Sequence, residues 1–491
     1  MLYHSTRNKN EVMSSREAVL QGLARDGGLF VTDDLDRAQI DPASLRGSYM
    51  DTAKRVFSLL LDDYTEEELE SAIHAAYGHT FTAPEVTPVT KLGEMHLLEL
   101  YHGPTSAFKD VALSMLPQLM SKALAGTGKK IMIATATSGD TGKAALAGFK
   151  DVPGIGISVF YPEGGVSAIQ ELQMSTQEGK NVAVCAVNGN FDDAQTGVKK
   201  IFSAVSKDQL LEGKGVRLSS ANSINIGRLA PQVVYYYRAY ADLVQAGRIQ
   251  PGDKVDYVVP TGNFGDILAG YFAKEMGLPV GKLVCASNAN NVLTDFLRTG
   301  RYDRRRPFYK TVSPSMDILV SSNLERLLYL LSGDDKLIAD LMKQLSENGE
   351  YEVPADMLEK LHELFWAGFC DDEGAKTAIG KVWKDDHYLC DTHTAVAWDV
   401  AQQYKQANPE HNAVVVLSTA SPYKFPAAVL EGIGEKAEGD EFDVMEQLHK
   451  VTGVPVPKNL ADLRSRAVRH RDVIDRGEML DYVLGKAAAE K

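Results

Sequence analysis

One lysine stands where its amine could act on a carbonyl compound. Residues 101–110 read YHGPTSAFKD and place Lys109 in the first turn of a predicted helix, whose apolar positions continue over 111–120. Thr105 and Ser106 are good N-cap residues for that helix. Burial and the positive end of the helix dipole both favour a neutral amine, which can attack a carbonyl group. Lys109 is therefore a candidate catalytic residue, although a lysine at a helix start is more often a surface side chain.

Two glycine-bearing turns follow predicted strands, and each has room for an anion. The first turn, 137–142, reads TSGDTG, and the second, 261–266, reads TGNFGD. Glycines allow a close backbone approach, and the amides that begin the next helix favour negative charge. Ser138 and Thr141 with nearby amides could grip a carboxylate, and Lys143 could meet a phosphate. A plain strand-to-helix turn, with Lys143 on a helix surface, explains the same residues when each motif is taken alone.

Two more polar groups stand near the ends of predicted elements. Asn222, Ser223, Asn225 and Arg228 precede a helix that begins near residue 229. A polar helix cap explains most of this cluster, but arginine also offers bidentate contact to a phosphate. Thr419 ends a buried strand before a Ser-Pro turn, where a hydroxyl is often only a turn cap. Taken alone, these residues do not indicate a functional site; they become candidates because the other motifs occur in the same chain.

The elements that must position these groups alternate between strand and helix. Strands are predicted at 131–135, 155–160 and 182–187, and a second series at 255–259, 283–286 and 414–417. Such alternation implies parallel sheets covered on both faces, with ligand loops at the carboxyl edge. We expect a mainly helical N-terminal domain (1–90), an α/β domain (91–215), a second α/β domain (216–435) with a helical insertion at about 320–400, and a helical C-terminal tail (436–491).

The composition is that of a globular protein that handles small molecules. The chain has 491 residues, of which 24% are charged and 44% hydrophobic. Its 66 acidic and 52 basic residues give a net charge of −14, which argues against nucleic acid as a partner but not against a small phosphorylated ligand. We find neither a signal peptide nor a membrane span, so we expect no membrane partner and a cytoplasmic location.

The cysteines indicate a reducing compartment and no metal site. There are four in a large chain, and none forms a C-x-x-C pair. Two of them share a region with two histidines, but the spacing lacks the paired ligands of a usual zinc site. We therefore expect no metal at the residues of that region, which are Cys370, His387, Cys390 and His393.

Taken in order, four motifs resemble those of the long-form threonine synthases. They are GPT-x-AFKD, TSGDTG, GNFGD and the STASP sequence at 418–422, and the resemblance extends to about residue 430. Members of that family are pyridoxal-phosphate enzymes that make threonine from O-phosphohomoserine. The resemblance implies an α/β fold of the tryptophan-synthase beta type (fold type II), with two parallel-sheet domains and a helical N-terminal region.

The resemblance also assigns roles to residues. Lys109 is expected to hold pyridoxal phosphate covalently, and Thr419 to bind the pyridine nitrogen of that cofactor. The loop expected around the cofactor phosphate consists of Gly262, Asn263, Phe264, Gly265 and Asp266. The residues expected to bind substrate are Thr137, Ser138, Gly139, Asp140, Thr141, Lys143, Asn222, Asn225 and Arg228.

The implied reaction is the last step of threonine biosynthesis. Lys109 would serve as general base for the α-proton of O-phospho-L-homoserine, phosphate would leave the γ-carbon, and water would add at the β-carbon. Two alternatives stay open: another fold type II enzyme, such as a threonine or serine dehydratase, or a catalytically silent relative that binds the cofactor. The oligomeric state, monomer or homodimer, is open too.

Overall fold

A computed structural model describes residues 1–137, 139–207, 211 and 215–489. Within these residues the strands are β1 (Leu2–Ser5), β2 (Asn8–Ser14), β3 (Phe30–Val31), β4 (Val89–Leu92), β5 (Met95–Glu99), β6 (Lys130–Ala136), β7 (Ile155–Pro162), β8 (Val182–Asn188), β9 (Val216–Ser219), β10 (Val255–Pro260), β11 (Val280–Ser287), β12 (Arg301–Asp303), β13 (Glu350–Glu352), β14 (Phe365–Phe369), β15 (Ala413–Ser418) and β16 (Asp472–Asp475).

The α-helices of the same residues connect and cover these strands. They are α1 (Ser15–Gln21), α2 (Tyr49–Leu60), α3 (Glu66–Tyr77), α4 (Lys109–Leu124), α5 (Asp140–Phe149), α6 (Ala168–Ser175), α7 (Phe191–Lys207), α8 (Ile226–Gln245), α9 (Gly265–Glu275), α10 (Val292–Thr299), α11 (Leu324–Ser332), α12 (Asp335–Asn348), α13 (Ala355–Leu364), α14 (Asp372–Asp386), α15 (Thr392–Ala407), α16 (Pro426–Gly432), α17 (Glu441–Thr452), α18 (Lys458–Ala461) and α19 (Met479–Ala489).

The larger sheet has the strand order β14-β11-β10-β15-β5-β4 in the described part of the chain. Its neighbours pair in parallel except for β4, which is antiparallel to β5 at the edge. Strand β10 is buried at every residue, as expected for a parallel strand with helices on both faces. Met95–Glu99, which we expected to begin the first α/β domain, lies in this sheet beside β15. The division of the chain into domains stays a prediction.

The smaller sheet has the order β16-β8-β7-β6-β9, and all of its described pairs are parallel. Strand β7, at its centre, is buried along its whole length. The edge strand β16 comes from the C-terminal region, which we expected to be helical throughout; it pairs with β8 from Cys185 to Asn188. Sequence periodicity missed β16 because its four residues are largely exposed and carry no apolar alternation.

The N-terminal region contains helices α1, α2 and α3 and also the antiparallel sheet β2-β1-β3. Helices α2 and α3 begin with capping boxes at Ser48 and Thr65, which satisfy backbone amides of their first turns. Helix α8 is buried over most of its length and packs against α2, α4 and α9. None of the described helices is long and apolar enough to cross a membrane.

Candidate active site

Lys109 is the first residue of α4, directly after the loop that leaves β5. The expected cap by Thr105 or Ser106 is wrong, because the N-cap residue is Phe108 and it makes no side-chain cap. Thr105 instead donates from its amide (2.8 Å) and its hydroxyl (2.6 Å) to the carboxylate of Asp110. Thr105 and Asp110 thus tie the turn before the helix to its first residues and fix the position from which Lys109 leaves the backbone.

The amine of Lys109 lies between a hydroxyl and a carboxylate. Its Nζ donates to Ser315 Oγ at 3.1 Å and is 3.9 Å from Asp140 Oδ2, and 12% of its side chain is exposed. Burial lowers the pKa of Lys109 to about 8, against the opposing charge of Asp140 and with the help of Lys424 and Arg228. A substantial fraction of the amine is therefore neutral near physiological pH, as a nucleophile or base requires.

Asp140 pairs with a second buried lysine that sequence reasoning missed. Lys424 Nζ is 2.6 Å from Asp140 Oδ1, and its side chain is fully buried. The same amine donates to the carbonyl of Thr105 at 3.1 Å. Burial acts to raise the pKa of Asp140, but the charges of Lys424 and Lys109 outweigh it and hold that pKa below its usual value. We call Lys109, Asp140 and Lys424 the lysine cluster.

A histidine on α15 holds the residue that contacts Lys109. The amide of Ser315 donates to His393 Nε2 at 3.1 Å, so the ring proton lies on Nδ1. That nitrogen donates to Asp391 Oδ2 at 2.7 Å, and both His393 and Asp391 are buried. The carboxylate therefore fixes the tautomer of His393, and the imidazole fixes the backbone of Ser315.

The loop after β10, which we call the cradle (261–266), presents backbone amides. Among the described residues, none accepts a hydrogen bond from the backbone amides of residues 262 to 265. The loop is nevertheless held in place through its carbonyl groups. The carbonyls of Gly262 and Asn263 accept hydrogen bonds from Ser321 and Asn323. A Cβ on Gly262 would stand 2.8 Å from the carbonyl oxygen of Ser315. Amides at the start of a helix that have no acceptor among the described residues are suited to binding an anion.

Phe264 and Asp266 shape the cradle without facing an anion. Phe264 has φ of 65°, a left-handed conformation that turns the chain into α9. The carboxylate of Asp266 accepts hydrogen bonds from Tyr235 (2.5 Å) and Tyr236 (3.0 Å), and its other oxygen is buried without a partner. Burial raises the pKa of Asp266 to about 7, although both tyrosine hydrogen bonds act to lower it. The contribution of Asp266 is to hold the first turn of α9 against α8.

Thr419 lies immediately beside the segment that carries the lysine. It follows β15, and its carbonyl accepts the amide of Phe108 at 2.8 Å. The amide of Ser421 in turn donates to the carbonyl of Ser106 at 3.0 Å. The side chain of Thr419 is buried, and in the described part of the chain it has no hydrogen-bond partner. A free hydroxyl held next to the lysine helix is suited to binding a ligand atom.

The first glycine turn is held together by Thr137. Its hydroxyl oxygen accepts the amides of Gly139 (3.0 Å) and Gly142 (2.9 Å). Gly139 has φ of 142°, and a Cβ there would lie 2.2 Å from the side-chain nitrogen Nε2 of Gln170. Thr141 is half-buried in the first turn of α5. Ser138, which we expected to bind substrate, lies outside the described residues.

The polar cluster before α8 divides into a cap and an unsatisfied guanidinium. Asn225 is the N-cap of α8 and also donates to Val19 and Ser220 carbonyls, so its buried side chain is fully engaged. Asn222 accepts the hydroxyl of Thr135 at 2.9 Å. Arg228 donates to a backbone carbonyl, but its Nε is buried without a partner. Burial lowers the pKa of Arg228 to about 10, and the positive charge of Arg228 helps to lower the pKa of Lys109.

Lys143 does not join the lysine cluster. Its Nζ donates to Gln177 Oε1 at 2.5 Å, beyond the end of α6. Within the described residues, no three His, Cys, Asp or Glu side chains converge as a metal site requires. His393, considered above only as a metal neighbour, serves instead to hold Ser315. Ser315, Lys424 and His393 are the site residues that the sequence did not single out, because no local pattern marks them.

Comparison with known proteins assigns the chain to a class of enzymes. A family model described as "Pyridoxal-phosphate dependent enzyme" matches residues 81–419, more than half of the chain. Together with the two parallel sheets, the lysine at the start of α4 and the anion cradle, this match defines a pyridoxal-phosphate-dependent enzyme of fold type II. Models described as "Threonine synthase N terminus" and "Threonine synthase, C-terminal" match residues 2–77 and 394–480.

The relatives narrow the class to one family. Threonine synthase from Saccharomyces cerevisiae is 37% identical over 489 residues, which cover 92% of this chain and 93% of that protein. The structure of PLP-bound threonine synthase from Brucella melitensis is 36% identical, with a TM-score of 0.86 and 99% of both chains covered. The chain therefore belongs to the threonine synthase family.

Some relatives are longer than this chain. Threonine synthase-like 1 from Macaca fascicularis is 41% identical over 431 residues, which cover 85% of this chain but only 58% of that protein. The chain thus spans little more than half the length of these curated relatives.

Proposed function

We propose that this protein is a pyridoxal-phosphate-dependent threonine synthase, which converts O-phospho-L-homoserine and water to L-threonine and phosphate. The observation that carries the proposal is the buried amine of Lys109, held between Ser315 and Asp140 with a pKa of about 8. Family membership supports the substrate, and the geometry supports a lysine that exchanges between covalent attachment and proton transfer.

The residues present fit the cofactor. The cradle offers unpaired backbone amides for a phosphate group, and the absence of a side chain at Gly262 lets this loop lie close to the backbone of Ser315. The free hydroxyl of Thr419 would bind the pyridine nitrogen, and Lys109 would hold the aldehyde carbon. When bound, pyridoxal phosphate supplies an electron-withdrawing ring that stabilises negative charge on substrate carbon atoms. Because the residue at this position is a hydroxyl and not a carboxylate, Thr419 would not hold the ring nitrogen protonated, and the ring would be a weaker electron sink.

The other residues divide the work of binding and proton transfer. Lys109 Nζ accepts the α-proton of the substrate, and the charge of Asp140, shared with Lys424, limits how far burial lowers the pKa of Lys109. Ser315 and His393 keep the amine in place. Backbone amides of the first glycine turn bind the substrate carboxylate, with Thr137 and Thr141 shaping the turn. The unpartnered Nε of Arg228 suits the substrate phosphate.

Asn225 and Lys143 fit substrate binding less well than the other expected residues. Asn225 caps α8 and is saturated with hydrogen bonds, and Lys143 faces Gln177. Asn222 keeps its amide nitrogen available, since the described contact of its side chain uses only the oxygen. We therefore place the substrate between the first glycine turn, Asn222 and Arg228.

A single set of assays separates this activity from the alternatives. The purified protein with cofactor is incubated with O-phospho-L-homoserine, and phosphate and threonine are measured together. We expect both products in equal amounts. Phosphate and 2-oxobutyrate without threonine, or 2-oxobutyrate from added L-threonine, would indicate a dehydratase. Cofactor binding with no product from either substrate would indicate a silent relative, a possibility raised by the threonine synthase-like proteins among the matches.

The setting of the enzyme follows from the same proposal. The four cysteines are free and buried, which supports a reducing compartment such as the cytoplasm. We expect no metal requirement, so a chelator should leave product formation unchanged. The protein is a monomer or a homodimer, and its mass in solution, compared with 53.6 kDa for one chain, distinguishes them.

A further inference from the structure

A cleft lined by several lysine and arginine side chains lies near the lysine cluster. A cleft of about 490 Å³ is bounded by α5, the residues that follow α6, and the segment 466–469 near the C-terminus. We call it the basic cleft. Its volume is in the range of small-molecule sites. The charged side chains that line it are Lys143, Lys150, Glu178, Arg466 and Arg469.

The cations of the basic cleft outnumber its carboxylates. Four lining side chains are cationic, and Glu178 is the one carboxylate among the charged residues of the lining. Glu178 already pairs with Lys150 at 3.2 Å and with Arg469 at 3.0 Å. In the described part of the chain, the guanidinium of Arg466 has neither a hydrogen-bond nor an ion-pair partner. The protein therefore leaves uncompensated positive charge facing one cavity.

Lys143 is the buried member of this group. It is 7% exposed, and its Nζ donates to the neutral amide of Gln177; among the residues that the structure describes, it pairs with no carboxylate. Burial, with the charge of Arg466 next in importance, lowers the pKa of Lys143 to about 7. The charges of Lys424 and Lys150 act in the same direction, and only that of Asp110 opposes them. A buried lysine without an acidic partner is costly in its charged form, and an anion from solution would stabilise that form.

The basic cleft is distinct from the cradle and from the lysine cluster. Neither Lys109 nor any cradle residue lines it. The two sites are nevertheless connected, because Lys143 lies one turn after Asp140 on α5, and Gln177 lies one turn after Gln173, which contacts Lys424. A ligand in the basic cleft therefore contacts residues within one helical turn of the lysine cluster.

We propose that the basic cleft binds a phosphate dianion, either free or as a small phosphate monoester, at a site separate from the catalytic lysine. The lining supplies guanidinium groups and amines, which are the usual donors to phosphate oxygens, and Glu178 neutralises only part of their charge. The volume of the cleft suits a small ligand, and the net charge of −14 disfavours nucleic acid. The site does not depend on the proposed reaction, and its test measures binding.

Equilibrium dialysis of radiolabelled inorganic phosphate against the protein with its cofactor tests the proposal. We expect a binding component that Arg466→Gln weakens about tenfold, because one charge-assisted contact is lost. Arg466 is exposed, so this substitution should not unfold the protein. Arg464→Gln is the matched control: it removes the same charge from the same segment, but Arg464 pairs with Asp440 and Asp443. The control should change the affinity less than twofold.

Two further measurements distinguish free phosphate from a phosphate monoester, and a separate site from the substrate site. Competition by glycerol 3-phosphate shows whether a monoester occupies the cleft, and its absence assigns the cleft to free phosphate. Equal weakening by both arginine variants would reduce the effect to general electrostatics and overturn the proposal, as would unchanged affinity in Arg466→Gln. A tenfold rise in the KM for O-phospho-L-homoserine in Arg466→Gln would assign the cleft to the substrate, which also overturns a separate site.

Discussion

The lysine cluster and the cradle meet at Ser315, yet they handle charge in different ways. In the lysine cluster, two amines and one carboxylate are buried together, and the pKa values of Lys109 and Asp140 depend on the charges of their neighbours. In the cradle, the groups that face the site are backbone amides, and the nearby carboxylate of Asp266 is held by tyrosine hydroxyls with a pKa raised to about 7. Ser315 contacts Lys109 with its hydroxyl and approaches Gly262 with its carbonyl.

The difference indicates how each region can be damaged. The lysine cluster depends on particular charged side chains, so removing one of them should leave its partners buried and uncompensated. The cradle depends on the absence of a side chain, so adding a single carbon should be enough to disturb it. Substitutions in the two regions should therefore differ both in size and in whether added cofactor restores activity.

The largest effect is expected for Lys109→Ala. Without the amine, the protein should lose covalent attachment of the cofactor, seen as loss of its visible absorption band on the purified chain. Formation of threonine should fall by about 10³- to 10⁴-fold, because proton transfer by a positioned base is lost. Lys122→Ala is the matched control, since Lys122 lies on the same helix and its amine donates to the exposed hydroxyl of Ser71. An absorption band and activity that survive in Lys109→Ala would contradict the assignment.

Next in size is the effect of Lys424→Met on stability. Lys424 is fully buried against Asp140, and removing one partner of a buried ion pair typically costs about 3–5 kcal/mol. We expect a loss of about 3 kcal/mol in the free energy of unfolding, measured by urea denaturation with cofactor present. Lys436→Met, at an ion pair whose lysine is 86% exposed, is the control and should change stability by less than about 0.5 kcal/mol.

A double variant separates the ion pair from simple packing. Asp140→Asn with Lys424→Met removes both charges, so its loss of stability should be smaller than the sum of the two single losses. Additive losses would contradict a coupled pair and would mean that each residue acts through packing alone. The lysine cluster would then no longer differ from the cradle in the way described above.

The residues of the site also differ in whether a local sequence motif marks them. Lys109, both glycine turns and Thr419 were candidates from the sequence because each lies in a short motif that resembles one of the threonine synthase family. Ser315 was not, since it reaches Lys109 from 206 positions away along the chain. Lys424 and His393 are likewise ordinary residues until the fold places them beside Asp140 and Ser315. Long-range packing, which no local spacing encodes, selects them.

Two errors in the fold predictions have physical explanations. Thr105 has the right residue type for a helix cap, but the carboxylate of Asp110 takes its hydroxyl and amide, and the chain enters α4 through Phe108. Strand β5 has the pattern of a buried strand, and the pattern does not say which sheet it joins; it pairs with β15, far along the chain. Type and position of an element are local properties, whereas its partner is not.

The smallest effect, and the most direct test of the cradle, is expected for Gly262→Ala. The new Cβ would stand 2.8 Å from the carbonyl oxygen of Ser315, a backbone atom that cannot rotate away. Overpacking of this kind costs about 1–3 kcal/mol, so cofactor affinity should fall about tenfold or somewhat more. Gly265→Ala is the matched control in the same loop, because its Cβ would meet Asn323 Nδ2 at an ordinary 3.5 Å.

The measurement for both glycine variants is the rate of cofactor loss during dialysis. Saturating pyridoxal phosphate should restore most threonine formation in Gly262→Ala and none in Lys109→Ala. If Gly265→Ala proved as damaging as Gly262→Ala, close contact with Ser315 would not be what limits the cradle, and the amides of α9 alone would explain its anion binding.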